Sequence, residues 1–256
     1  MDTRILTQEQ RTHAPVEPPD KRVEFDHYWE TRNLRSVDLR TRRRIAIIES
    51  MLSAVPGTML DVGCGRGTVA AHFAENGYSV TAIDISPLAV RWTKRQHPVI
   101  KACVLDIENE PLTGPYDVIL CLEVLQQVRH PIDAVMKMRD ALSPDGCLIV
   151  SLPNEFHLAR RLAILAGMVT FGGIDDTHIK LYTPREHRRL FERCGLTIEM
   201  TGTQSIVPPR WLNGKLHDWT APLAQAWPSL FALSCVYRLS VSDAPVNTGQ
   251  GRADQW

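Results

Sequence analysis

Short apolar segments alternate with amphipathic segments along the chain from residue 58 onward. The apolar segments are rich in β-branched residues, as strands are, whereas the segments between them repeat apolar residues at helical spacing. Strands that alternate with helices form βαβ units and a parallel sheet. The pattern therefore predicts an α/β fold, a doubly wound, seven-stranded, mostly parallel sheet with helices on both faces. The predicted strands are 58–62, 79–84, 102–105, 116–121, 147–152, 197–201 and 235–241.

Helices are predicted where apolar residues recur every three or four positions, often behind a proline. One long helix is predicted before the first strand, and it carries six arginines. We interpret these arginines as a solvated face, with contacts to phosphate groups as the alternative. A turn is predicted at 143–146, where the sequence reads Ser-Pro-Asp-Gly. The predicted helices are 25–52, one that begins at Pro87, 132–142, 158–165 and 184–194.

The ends of the chain and two insertions lie outside this minimal pattern. Polar, proline-bearing residues predict a flexible arm at 1–24 and a flexible tail at 243–256, on either side of one domain at 25–242. The insertions, about 155–183 and 202–232, are expected to form a lid at the mouth of the site. The second holds three tryptophans, for which we weigh packing of a small subdomain against docking of a lipid-linked or aromatic acceptor. They are Trp211, Trp219 and Trp227.

The composition of the chain says more about where in the cell the protein works than about its chemistry. The chain has 256 residues, and 29 basic side chains balance 29 acidic ones, so no overall field attracts nucleic acid or an anionic membrane. Its six cysteines form no CxxC pair or Cys/His cluster, which argues against a disulfide framework and against a zinc site. No apolar run reaches membrane-spanning length, and no signal pattern opens the chain. We therefore expect a cytoplasmic protein.

A glycine-rich loop follows the first predicted strand and carries the main chemical signal. Residues 61–67 read Asp-Val-Gly-Cys-Gly-Arg-Gly, and a helix start follows them. A dinucleotide fingerprint would need a third glycine three positions after Gly65, where Thr68 stands instead. Asp61 suits a cationic ligand better than a pyrophosphate, because a carboxylate attracts positive charge. The alternatives for this loop are a nucleotide-type cofactor site and a glycine-rich turn without a ligand.

Acids close the next two predicted strands. Asp84 ends the second strand, where a carboxylate can accept hydrogen bonds from a ribose diol. Asp106 follows the third strand and precedes the apolar Ile107. Three ligand-type signals at three strand ends favour one bound cofactor over an empty turn.

These segments together, in this order and spacing, resemble the class I S-adenosylmethionine-dependent methyltransferases over about residues 45–200. The resemblance implies a Rossmann-like fold and S-adenosylmethionine as cofactor. It implies a cofactor site in which the first loop surrounds the methionine part, Asp84 binds the ribose, and Asp106 with Ile107 binds the adenine. The cofactor-binding residues implied in this way are Asp61, Gly63, Cys64, Gly65, Gly67, Asp84, Ile85, Asp106, Ile107 and Cys121.

The stretch 118–131 resembles two subfamilies at once. Its Glu-Val-Leu core is similar to ubiquinone-biosynthesis O-methyltransferases, and its Leu-Gln-x-Val-Arg-x-Pro core is similar to MetW proteins of methionine biosynthesis. Gln127 stands where the ubiquinone type carries a histidine, so the usual acid/base candidate is missing there. Gln126 and Gln127 also depart from the Glu-x-x-Glu-His metal pattern of some RNA-end methyltransferases. We therefore expect no metal in the reaction.

The resemblance leaves the methyl acceptor open. A hydroxyl acceptor benefits from a general base, and histidine is suited to that role near neutral pH. His178 follows two acids in the first insertion and is the first candidate, His157 is the second, and Glu123 could orient donor or acceptor. The leading hypothesis is an enzyme of a biosynthetic pathway that methylates a hydroxyl of a small molecule, which is aromatic, a glycan or lipid-linked. The alternatives are a MetW-like partner protein and an RNA methyltransferase.

Overall fold

The computed structural model describes residues 20–31, 39–53, 55–168, 177–205 and 215–242. Seven strands form one sheet in the order β3-β2-β1-β4-β5-β7-β6, in which only β7 runs antiparallel to its neighbours. The fold prediction, a doubly wound and mostly parallel seven-stranded sheet, is confirmed. The strands are β1 (Thr58–Val62), β2 (Ser79–Asp84), β3 (Lys101–Val104), β4 (Tyr116–Leu122), β5 (Leu142–Pro153), β6 (Leu196–Ser205) and β7 (Ala232–Val241).

Helices cover both faces of the sheet, and their starts follow local sequence signals. Proline occupies the first turn of α4, α5 and α7, where its missing N–H costs nothing. At α7, Thr183 and Glu186 form a reciprocal capping box. The helices are α1 (Lys21–Thr31), α2 (Leu39–Met51), α3 (Thr68–Glu75), α4 (Pro87–Gln96), α5 (Pro131–Asp140), α6 (Leu158–Leu165), α7 (Pro184–Arg193), α8 (Lys215–Ala226) and α9 (Pro228–Phe231), with a short 3-10 helix at Leu125–Gln127.

Two apolar cores lie on opposite faces of the sheet, because side chains alternate along each strand. On β4, Ile119 and Cys121 belong to one core, whereas Val118 and Leu120 belong to the other. All four are buried, as expected for a strand covered on both faces. The strand order reverses between β1 and β4, and this reversal opens a crevice at the carboxyl ends of the strands, where ligands of such sheets bind.

Several predicted boundaries differ from the structure. The segment predicted as one helix at 25–52 contains two described helices, and α1 begins at Lys21, so residues 21–24 belong to a helix rather than to the predicted arm. The predicted turn at 143–146 lies inside β5, where the register against β4 shifts between Tyr116 and Val118. The last two strands are longer than predicted, and β6 takes the first residues of the second insertion. Residues 1–19 and the tail 243–256 lie outside the described residues.

Candidate active site

One cavity of about 540 Å³ opens at the carboxyl ends of the parallel strands. Its volume falls in the range of small-molecule sites. The cavity brings together eight residues that the sequence singled out for cofactor binding or catalysis, from six separate segments of the chain. They are Gly63, Asp84, Ile85, Asp106, Ile107, Glu123, His157 and His178.

The glycine loop adopts a backbone that only glycine takes without strain. Gly63, Gly65 and Gly67 have φ angles of 72°, 56° and 74°. A Cβ on Gly65 would lie 2.5 Å from the ring of Trp29, and one on Gly67 would lie 2.6 Å from Thr93. The last two glycines therefore make room for the protein's own side chains, and Gly63 alone of the three lines the cavity.

Asp84 is the central acid of the cofactor half of the cavity. One of its carboxylate oxygens accepts from the Gly65 N–H at 2.8 Å and the other from the Ser86 N–H at 2.9 Å. Burial raises the pKa of Asp84 to about 6, and these two hydrogen bonds oppose the rise. Each oxygen keeps a lone pair for a further donor, so the carboxylate fits a ribose diol.

Asp106 and Ile107 line the same half of the cavity. Asp106 accepts from the Glu108 N–H at 2.9 Å and from the Asn109 side chain at 2.7 Å, which fixes its carboxylate at the loop after β3. Ile107 is 8% exposed and belongs to the apolar core. An acceptor beside an apolar side chain fits a flat heterocycle that carries an amino group, as adenine does. Ile85, which follows Asp84, is half-buried beside them.

Five residues of the predicted cofactor set lie behind the cavity wall or away from it. Asp61 is 2% exposed, and burial, followed by the charge of Asp84, raises its pKa to about 7. A hydrogen bond from the Ala70 backbone opposes this rise. Asp61 thus supports the loop from below at the start of α3. The residues of the set that do not line the cavity are Asp61, Cys64, Gly65, Gly67 and Cys121.

Helix α1 covers the cofactor half, although the sequence gave it no role. Lys21 pairs with Glu108, and Asp26 accepts from the Ser86 hydroxyl and, at 3.0 Å, from the Leu88 N–H. Trp29 packs on the glycine loop at Gly65. These contacts tie the helix to the loops after β2 and β3. Lys21, Phe25, Tyr28 and Trp29 all line the cavity. The cluster of aromatic residues in α1 was a signal that could have indicated this contact.

The other half of the cavity holds a histidine that a carboxylate orients. His178 Nδ1 lies 2.9 Å from Glu155 Oε1, and the other oxygen of Glu155 pairs with Arg160 at 2.5 Å. A carboxylate held by an arginine can only accept, so Nδ1 carries a proton, and in the neutral ring Nε2 then keeps the lone pair. The Gln126 amide nitrogen lies 3.5 Å from that Nε2 and 3.4 Å from Glu123. His178 therefore has the tautomer of a base.

Glu123 stands at the end of β4 with a φ angle of 58°, a conformation that costs a non-glycine residue energy and occurs often at functional sites. Its Oε1 accepts from Arg44 at 2.9 Å, from Ser151 at 3.0 Å and from Ser234 at 2.8 Å. An oxygen with three donors is fixed in place. Arg44 thus faces the cavity, which corrects the interpretation of its helix face as wholly solvated.

His157, the second predicted base, lies at the N-cap of α6. Burial, followed by the charge of Arg160, lowers its pKa. Of the tryptophans in the second insertion, Trp227 is 63% exposed and does not line the cavity. Trp211 and the two acids before His178, Asp175 and Asp176, lie outside the described residues, and so does the side chain of Trp219.

The sequence reasoning missed Glu155, Arg160 and Gln126, which complete the acceptor half. Glu155 comes two residues after the end of β5, so an acid at a strand's carboxyl end was the available signal. In the part of the chain that the structure describes, no group of three or more His, Cys, Asp or Glu side chains could hold a metal ion. In the same part, no helix is both long and apolar enough to cross a membrane.

Comparison with known proteins identifies the family of the chain. A family model described as "Methyltransferase domain" matches residues 28–200, which is more than half of the chain. The mitochondrial ubiquinone biosynthesis O-methyltransferase of Schizosaccharomyces pombe is 34% identical over 113 residues, 41% of either chain. The ubiquinone biosynthesis O-methyltransferase of Rickettsia bellii is 30% identical over 151 residues, 55% of this chain and 62% of that protein. The aligned part thus spans less than two thirds of these relatives.

A solved structure gives the same answer for the fold. The 1,6-didemethyltoxoflavin-N1-methyltransferase of Burkholderia thailandensis superposes with a TM-score of 0.60 at 19% identity, over 90% of this chain and 93% of that one. At that identity the likeness concerns the fold alone. The chain therefore belongs to the methyltransferase-domain family, as a class I S-adenosylmethionine-dependent methyltransferase, which confirms the resemblance that its glycine-rich loop indicated.

Proposed function

We propose that this protein methylates a hydroxyl group of a small-molecule acceptor and that His178 is the general base. The observation that carries the proposal is the position of His178, which Glu155 orients at 2.9 Å within the same cavity that Asp84 and Asp106 line. The relatives named ubiquinone biosynthesis O-methyltransferases support an oxygen acceptor and a role in biosynthesis.

The residues present fit S-adenosylmethionine. Asp84 offers its carboxylate to the ribose, Asp106 and Ile107 offer an acceptor and an apolar surface to the adenine, and the backbone at Gly63 faces the methionine part. The bound cofactor supplies an activated methyl group on a sulfonium, so the protein needs to align a nucleophile with it and exclude water. Helix α1 contributes to both, because its aromatic side chains cover the cofactor half.

The acceptor half supplies proton transfer. His178 Nε2 takes the proton of the acceptor hydroxyl, whose oxygen would then accept the methyl group that the bound cofactor would supply. Glu155 stabilises the resulting imidazolium through Nδ1. Gln126 donates to the free Nε2 before the acceptor binds, and Glu123 holds the Gln126 amide in that orientation. General base catalysis of this kind contributes about 10²–10⁴-fold to a rate.

Two measurements on the purified protein test the proposal. Calorimetric titration with S-adenosylmethionine is expected to show binding in wild type and in His178→Ala alike. Transfer of a labelled methyl group to pooled hydroxylated metabolites is expected to fall about 10²-fold or more in His178→Ala. His97→Ala, a half-buried histidine away from the cavity, serves as the matched control.

The outcomes separate the alternatives. Absence of cofactor binding by the wild type would refute the proposal that the protein is a methyltransferase enzyme. Binding without transfer to any compound in a cell extract would favour the MetW-like partner protein. Transfer to RNA but not to small molecules would favour the RNA methyltransferase. Equal rates in His178→Ala and wild type would remove His178 from the mechanism.

A further inference from the structure

The loop after β3, residues 106–110, is short and strongly acidic. It reads Asp-Ile-Glu-Asn-Glu, so three carboxylates fall within five residues and repel one another. The loop is nevertheless closed into a turn, because the N–H groups of Asn109 and Glu110 donate to the Asp106 carbonyl at 3.2 and 2.8 Å. Asp106, Ile107 and Glu108 line the cavity from this turn. Donors or positive charge from another element are needed to hold so acidic a turn in place.

One lysine of helix α5 supplies both. Lys137 Nζ donates to the carbonyl oxygens of Ile107, Glu108 and Glu110 at 2.9, 2.8 and 3.0 Å. An ammonium has three N–H donors and no acceptor, so these three carbonyls match its full capacity. Lys137 is half-buried and does not line the cavity. It therefore acts on the backbone of the loop and not on a ligand.

The chain that leads into α5 holds the same loop through a side chain. Glu108 Oε1 accepts from the N–H groups of Arg129 and His130 at 2.7 and 3.1 Å. The other oxygen of Glu108 pairs with Lys21 of α1. The loop is thus fastened to α5 twice, once by its own carboxylate and once by the ammonium of Lys137. We infer that α5 fixes the direction in which the loop faces the cavity.

We propose that Lys137 is a positioning residue for recognition of the amino group of adenine. The Asp106 carboxylate takes its orientation from the loop, because it accepts from the Glu108 N–H and from the Asn109 side chain. Without the ammonium, three carbonyl oxygens lose their common donor and the acidic loop loses positive charge, so Asp106 turns away from the amino group. The proposal rests on the proposed function, in which Asp106 binds adenine, and adds the residue that sets this selectivity.

Two ligands that differ in one group test the proposal. S-adenosylhomocysteine carries the amino group of adenine, and S-inosylhomocysteine carries a carbonyl oxygen in its place. That oxygen cannot donate to Asp106, so calorimetry is expected to show at least about tenfold tighter binding of S-adenosylhomocysteine by the wild type. Lys137→Met keeps an apolar stem and removes the ammonium, and we expect it to reduce this preference several-fold. A general loss of structure would weaken both ligands alike and leave their ratio unchanged.

Further variants locate the effect. Lys94→Met, at an exposed lysine of α4 away from the cavity, is the matched control with the wild-type ratio. Lys137→Gln keeps amide donors without the charge, so its ratio is expected to be intermediate, and it serves as the test if Lys137→Met does not fold.

The outcomes separate this proposal from the one on which it rests. A wild-type ratio in the folded Lys137 variants would overturn the role of Lys137 and leave Asp106 at the adenine. Equal binding of the two ligands by the wild type would overturn both the role of Lys137 and the assignment of Asp106. Binding of S-adenosylhomocysteine and methyl transfer, measured separately, would remain in either case if the protein is a methyltransferase.

Discussion

The two halves of the cavity are built in different ways. The cofactor half consists of strand ends and the loops that follow them, and the groups that we propose for cofactor binding are backbone atoms at Gly63 and the acids Asp84 and Asp106, all of which line the cavity. The acceptor half consists of side chains that come from β4, α2, α6 and the segment before α7, linked to one another by hydrogen bonds. Backbone geometry at a strand end is local in the sequence, whereas a side-chain network depends on which elements pack together.

The two halves also differ in how their acidic side chains are compensated. In the acceptor half each acid has a basic partner, Arg44 for Glu123 and Arg160 for Glu155. In the cofactor half Asp84 has no such cation among the residues that the structure describes, and it is held by backbone N–H groups. A cationic cofactor can supply the missing charge there, while the acceptor half is already balanced. We therefore expect cofactor binding in the cofactor half to depend on single groups, and catalysis in the acceptor half to depend on how its side chains are arranged.

Substitution of Asp84 is expected to have the largest effect, and this effect is confined to the cofactor half. Asp84→Ala removes the ribose acceptor and the partner of two backbone N–H groups, so we expect cofactor affinity to fall about 100-fold or more. Calorimetry measures the affinity, and a thermal melt verifies that the variant is folded. Asp117→Ala, at the amino end of β4, where Asp117 accepts from Thr58, is the control with unchanged affinity. Unchanged affinity in Asp84→Ala would show that the cofactor binds elsewhere.

The next largest effect is expected from disturbing the contact between Trp29 and the glycine loop. Gly65→Ala places a methyl group 2.5 Å from the Trp29 ring at a φ of 56°, and we expect unfolding free energy to drop by about 2–3 kcal/mol. Gly167→Ala has a φ of 79° with nothing within 4 Å, so it isolates the backbone cost of about 1 kcal/mol. Denaturant unfolding measures both.

A second change tests the cause of the Gly65 effect. Trp29→Ala in the Gly65→Ala background removes the steric conflict, so the further loss beyond that of Gly167→Ala is expected to disappear. The comparison is made against Trp29→Ala alone, which accounts for the lost packing. If the double variant stays as unstable as additivity predicts, α1 does not press on the loop in solution.

Glu155 tests whether the acceptor half works as a network. Glu155→Gln keeps the shape but removes the charge that orients His178 and stabilises its protonated form, so we expect kcat to fall about tenfold with cofactor affinity unchanged. Glu199→Gln, which alters an ion pair with Arg238 away from the cavity, is the control. Combined with His178→Ala, the change should cost little more. Additive losses would mean that Glu155 acts independently of His178.

The same contrast explains what could be predicted from the sequence. Asp84, Asp106 and Gly63 line the cavity because each lies at the end of a strand or just after one, and the apolar pattern of those strands is plain in the sequence, whereas their role in cofactor binding stays a prediction. Glu155 and Arg160 were not predicted, because their role depends on α6 folding back against the segment that carries His178. Arg44 was interpreted as solvated for the same reason, since its partner Glu123 lies 79 positions away in the chain. Local sequence patterns are enough to predict the cofactor half, whereas the acceptor half depends on how distant segments of the chain pack together.

The pH dependence of cofactor binding is the smallest expected effect, and it tests whether the ionisation of Asp84 in the cofactor half controls that binding. Burial raises the pKa of Asp84 to about 6, so the unliganded protein holds a proton there under mildly acidic conditions. A cationic cofactor favours the ionised carboxylate, so binding expels that proton. The dissociation constant should therefore rise as pH falls through 6, by at most about tenfold for each pH unit.

Calorimetry at pH 5, 6, 7 and 8 measures this dependence, and buffers of different ionisation enthalpy count the released proton. Asp84→Asn cannot ionise, so its weaker binding should lose most of the slope between pH 5 and 7. Asp61, whose pKa is raised to about 7 behind the loop, is expected to account for the remainder. If the pH dependence of the dissociation constant were unchanged in Asp84→Asn, the released proton would come from Asp61 or from the acceptor half. The division between a cofactor half that depends on one acid and an acceptor half with balanced charges would then be wrong.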